Sequence, residues 1–128
     1  MPIMTPVSWG ELLDKITILE IKRQRITDLT KQANVERELA ALNAVVTASG
    51  NLPEDAQPII DQLRHVNETL WDIEDEIREC ERSKNFGARF IELARAVYHT
   101  NDKRAAFKRD LNDLLGSELI EEKSYQPY

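Results

Sequence analysis

Between Leu12 and Ile21 the sequence LLDKITILEI, laid on a helix, is apolar almost all the way round, and a helix of that kind belongs inside other elements. At about 100° per residue, Leu12, Leu13, Ile16, Leu19 and Ile26 form a broad stripe, while Ile18, Ile21 and Leu29 fall on the opposite side, so two neighbours must cover the stretch Ser8–Leu29. Its start is marked by Ser8 and, three residues later, Glu11, the capping-box spacing in which each side chain satisfies an orphan amide of the first turn. Glu20 and Arg23 lie within its apolar arc.

The remaining pattern is helical throughout. Pro2 and Pro6 hold residues 1–7 as an extended arm, expected to lie on the protein, with Val7 placed to pack on the first helix as a staple. After Leu29 the polar stretch Thr30–Asn34 reads as a break, and Asn34 as the cap of a second helix carrying Val35, Leu39, Leu42, Val45 and Val46; a single bent helix through residue 48 stays open. Gly50, Asn51 and Pro53 form a turn. From Pro58 onward Ile59, Leu63, Val66, Leu70, Ile73, Ile77 and Cys80 alternate steps of four and three, a seam that suits a bundle helix packed at a shallow angle. Ser83–Gly87 is a second turn, and a last helical region runs from Ala88 to Leu115, with a break at Thr100–Asn101 open, before Gly116 stops it and residues 117–128 extend as a tail.

These elements predict an all-α fold: a small bundle of four to five helices in one domain spanning residues 1–128, with Ile16, Leu19, Leu63, Leu70, Ile73 and Val97 among its most buried side chains. The regular seam and the all-round apolar first helix offer more apolar face than one small bundle needs, which predicts a homodimer. A chain of 128 residues can bury a core without staples, and the single Cys80 allows no intramolecular disulfide. The net charge of −6 argues against a nucleic-acid or anionic-membrane partner, and no apolar run is long enough for membrane insertion. The opening MPIMTPVS has no basic n-region or apolar h-region, which leads to the expectation of a cytoplasmic protein.

Each long helix places polar residues where its apolar face should be: Glu20 and Arg23, then Asn67 and Glu74, then Asn101, Arg104 and Lys108. Buried charge is costly unless paired, so such departures from pattern mark functional or strained sites. The two acids and three bases leave one positive charge over, which a small phosphate or carboxylate ligand would balance. The other reading is a fully paired network that fixes helix register and binds nothing.

A second constellation joins Glu11 and Asp14 to Glu74 and Asp75. Carboxylates three or four apart on facing helices hold magnesium in all-α nucleotide pyrophosphohydrolases similar to the dimeric dUTPase and MazG group, which gives an alternative reading as a Mg-dependent enzyme. The fuller Glu-Glu-x-x-Glu pattern of that group is not reproduced. His65 and His99 have no ligand spacing and are read as surface residues.

Four blocks, GELLDKITILEIK (Gly10–Lys22), LWDIEDEIR (Leu70–Arg78), ARAVYHTNDKRAAFKRDLN (Ala94–Asn112) and EEKSY (Glu121–Tyr125), resemble a family of small bacterial proteins known only as a domain of unknown function. The resemblance covers nearly the whole chain. It implies an all-α protein often encoded beside sugar-transfer enzymes of cell-surface polysaccharide synthesis, and it names no activity, ligand or catalytic residue. Glu20, Glu74, Asn101, Arg104 and Lys108 fall within the family's recurrent blocks. The resulting expectation is an accessory or binding protein that takes a phosphorylated or carboxylated ligand, or a sugar-pathway partner enzyme, through the inter-helix polar residues; a purely structural dimerisation or adaptor module is the remaining alternative.

Overall fold

Ser8 opens the first helix as its spacing requires, its hydroxyl accepting the Glu11 amide at 3.1 Å, in a computed structural model that describes residues 1–128. Four helices follow one another without any strand: α1 (Trp9–Arg25), α2 (Leu29–Ala48), α3 (Ala56–Arg82) and α4 (Ala88–Leu115). The fold is an all-α helical bundle. α1 is its hub, packed against each of the other three, whereas the backbone of α2 approaches α1 alone. α3 and α4 pair along their length as an antiparallel hairpin, tied near its turn by Arg89 donating to Glu76.

The core gathers around α1. Leu12, Leu13, Ile16 and Leu19 meet Val35 and Leu39 of α2, Ala56 and Leu63 of α3 and Leu111 of α4. Ile21, on the opposite side of α1, is buried as well, because three neighbours rather than two enclose the helix. Of the six side chains expected to be most buried, Ile16, Leu19, Leu63 and Ile73 are buried, while Leu70 and Val97 are only half-buried. α3 and α4 have 27 and 28 residues and α1 has 17, so at about 1.5 Å per residue the hairpin overshoots α1 by roughly 15 Å, and the overshooting part packs only on itself.

Two local expectations are corrected and one open point is settled. The break after α1 falls at Ile26–Asp28 rather than Thr30–Asn34: Asp28 caps α2 by accepting the Lys31 amide at 2.9 Å, and Asn34 sits inside the helix, accepting from Arg37. Polar character at Thr30–Asn34 marked an exposed turn of helix, not its absence. α4 runs through Thr100 and Asn101 without interruption. The arm of residues 1–7 stays exposed, Val7 included, so no staple forms. Gly116 ends α4 in the left-handed conformation (φ 67°) that glycine adopts without strain, and the tail leaves from there.

Candidate functional site

α1 has a second buried face. Gly10, Asp14, Thr17 and Ile21 recur at steps of four, three and four, which puts them on one line of the helix, and all four are buried. Small and polar residues on that line let α4 approach closely. A Cβ at Gly10 would lie 2.4 Å from the Lys108 carbonyl oxygen, and the Gly10 amide donates to Asn112 Oδ1 at 2.6 Å.

One turn along α1, Asp14 is 2% exposed and receives a two-pronged contact from Arg104 of α4: Nε to Oδ1 at 2.9 Å and a terminal nitrogen to Oδ2 at 2.6 Å. Asn67 of α3 donates to the same Oδ1 at 2.9 Å and to Thr17 Oγ1 at 3.0 Å, while the Thr17 hydroxyl donates to the Asp14 carbonyl at 2.7 Å. Residues of three helices are thus joined at one carboxylate. A turn of α4 further on, the Lys108 ammonium donates to Glu11 at 2.9 Å and to Glu121 of the tail at 2.7 Å.

The electrostatics follow from these contacts. The hydrogen bond to Asp14 outweighs desolvation and raises the Arg104 guanidinium above its usual range. Burial acts against the charge on Lys108, but Glu121 and Glu11 together overcome it, and the ammonium is held more firmly protonated than that of an ordinary lysine. The same contact with Lys108 lowers the Glu121 carboxyl below the usual carboxylate range, although burial opposes it. No fully enclosed side-chain nitrogen or oxygen lacks a partner.

The seven residues singled out in the sequence divide. Asn67, Arg104 and Lys108 belong to this network. Asn101 is half-buried, one turn before Arg104, and makes no side-chain hydrogen bond. Glu20 pairs with Arg64 away from the network; Arg23 is exposed, 3.9 Å from Glu36; Glu74 is exposed and pairs with Arg78 on its own helix at 2.7 Å. The charge balance therefore reverses. Glu11, Asp14 and Glu121 face Arg104 and Lys108, three acids to two bases, where the sequence suggested a positive surplus. The four carboxylates of the magnesium reading do not converge either: Glu11 and Asp14 are spent on Lys108 and Arg104, whereas Glu74 lies two turns, about 10 Å, beyond Asn67 on α3. No three His, Cys, Asp or Glu residues are grouped to hold a metal ion.

Comparison with protein-family models, with curated proteins and with solved structures finds no match to this chain. The chemistry has to be read from the residues themselves. Asp14, enclosed and with both oxygens engaged, has no room to act as a base or ligand, and the network around it works as a clamp between helices. Only its outer edge is accessible: Lys108, Arg109 and Asn112 border a cavity of about 280 Å³ together with Glu121 and Lys123 of the tail.

Sequence reasoning passed over Gly10, Thr17, Asn112 and Glu121 and assigned Glu11 only to the helix cap or a metal. The Glu11 carboxylate does not return to the Ser8 amide but reaches Lys108. The signal that finds this face is the line Gly10–Asp14–Thr17–Ile21 itself, small and polar residues at core spacing beside an apolar stripe. Glu121 carries no such signal, because an extended tail has no helical period.

Proposed function

We propose that this chain is a non-catalytic accessory protein that works in the cytoplasm by association, pairing with a second copy of itself and, as the family resemblance implies, serving a partner enzyme of cell-surface carbohydrate synthesis. The observation that carries the reading is the overshooting hairpin. Beyond the reach of α1, Ile77 and Phe90 are only half-buried and Phe86 and Ile91 are exposed, apolar side chains that one chain leaves partly uncovered. A second copy is the economical partner: two such hairpins facing one another complete a four-helix arrangement in which each apolar surface meets its equal. Asp75 on α3 and Arg95 on α4, which form no ion pair within the chain, supply charges of opposite sign for a two-fold contact. No helix is long and apolar enough to cross a membrane.

The clamp supports the non-catalytic part of the reading, since its buried carboxylate and guanidinium are consumed in holding helices together. Static light scattering tests the association: a mass of about twice 14.8 kDa at tens of micromolar is expected. Ile91→Asp should return the protein to a folded monomer, because Ile91 is exposed within the chain and its loss leaves the core intact. A monomeric wild type would overturn the proposal. For the magnesium-dependent alternative, release of pyrophosphate from nucleoside triphosphates that stops on chelation would count in its favour; none is expected.

A further inference from the structure

The C-terminal tail turns back along α4 and meets it in pairs. Glu121 accepts from Lys108 and Glu122 from Arg109, the latter at 3.1 Å, and at the end of the chain the Tyr128 hydroxyl donates to Asp102 while its ring packs on His99 and Tyr98, with centroids 4.6 and 5.1 Å away. Apart from Ser117, every residue of this segment is exposed, so the tail adds almost nothing to the core. Its attachment beside Lys108 rests on ion pairs half in water, which are weak and screened by salt.

Beneath it lies a better-built surface. Lys108 is 8% exposed, with its ammonium at the cavity wall, and Asn112 is 4% exposed, its Oδ1 fixed by the Gly10 amide. The Asn112 Nδ2 donates to no group of the protein, and Asn112 is among the residues bordering the cavity. Arg109 adds a guanidinium on the same helix. With Glu121 and Glu122 in place the two cations are neutralised; without them Lys108 and Arg109 face Glu11 alone, and the surface carries a positive surplus.

We propose that Lys108, Arg109 and Asn112 form a binding site for a phosphate monoester, and that the tail carboxylates of Glu121 and Glu122 occupy it in the free protein as a built-in competitor. The donor set matches the ligand: residues bearing an ammonium, a guanidinium fork and an amide N–H border one cavity, and a tetrahedral dianion presents several acceptors in one compact group. Binding displaces the two carboxylates and frees the tail, so occupancy of the site is reported at the chain end. The site lies on α4 apart from the overshooting hairpin tip, and does not depend on self-association.

Titration calorimetry of the full chain at low salt tests it, with inorganic phosphate, glycerol phosphate and succinate as probes. Removing the competitor in the exposed double variant Glu121→Gln/Glu122→Gln should tighten phosphate and glycerol phosphate binding by about five- to tenfold over wild type, because the open state is no longer a minor fraction. Succinate, which spreads its charges, should bind more weakly than either. Adding Arg109→Gln, at a half-exposed position, should cost at least about tenfold. In wild type, nuclear magnetic resonance signals of residues 118–128 should sharpen as phosphate is added. Equal affinity in wild type and the double variant, affinity unchanged by Arg109→Gln, or no binding in any variant would each overturn the proposal.

Discussion

Asp14 is enclosed by protein, and such a carboxylate is tolerable only because Arg104 meets it with two bonds and Asn67 with a third. Thr17 completes the arrangement by accepting from Asn67, so Thr17→Val should leave an amide N–H short of a partner and cost about 1–3 kcal/mol, read as a lower denaturation midpoint at unchanged slope. Gly10 acts by absence of a side chain. Gly10→Ala sets a Cβ against the Lys108 carbonyl oxygen, a backbone atom that cannot swing aside, and should cost about 1–3 kcal/mol with a melting temperature lowered by several degrees. At this scale the sequence was half legible. Arg104, Lys108 and Asn67 stood out because a helical wheel exposes a polar residue on an apolar face. Their true partners did not, since Glu11 had a local explanation as a cap and Asp14 was read only with the magnesium carboxylates, and wheel arguments cannot tell which residue of one helix meets which residue of another.

α1 shows how an element can be central without being long. It is shorter than its neighbours, yet both of its faces are buried, one apolar against α2 and the core leucines, the other small and polar against α3 and α4. Leu19→Ala on the apolar face should cost about 2–5 kcal/mol in thermal or denaturant unfolding. The hub position of α1 was legible because its apolar residues run round the helix. The start of α2 was misplaced because Asp28 and Asn34 are both good caps, and the choice depends on where α1 must turn, which no local pattern records. The tail is the element most sensitive to pH. Its Glu121 carboxyl ionises more readily when docked on Lys108, so the pairing stabilises docking above the ordinary carboxylate range and is lost as pH falls through the lowered value of the docked carboxyl. Backbone relaxation of residues 118–128 followed through an acid titration should therefore show the tail ordered at neutral pH and freely moving once the carboxylate is protonated; a tail equally ordered throughout would contradict the ion-pair attachment.

The whole molecule combines a closed lower bundle, where α1 is surrounded, with an open hairpin tip. Fold class was legible from periodicity and the helix count to within one, whereas the overshoot was not, because the regular seam of α3 gives no sign of where its cover ends. The even spacing from Ile59 to Cys80 continues while the environment changes from two neighbouring helices, α1 and α4, to α4 alone. The account stands on the claim that the polar interior is a clamp holding this bundle together rather than an open site waiting for a ligand. Thermal unfolding of wild type, Asp14→Ala, Arg104→Met and the double variant tests that claim most directly. Breaking the pair from either side should strand a buried charge or leave its partners unpaired, costing about 3–5 kcal/mol and lowering the melting temperature by roughly 10 °C or more, and the double variant should lose clearly less than the sum of the two. If Arg104→Met is neutral or stabilising, or if the two losses simply add, the interior is not a clamp and the account fails.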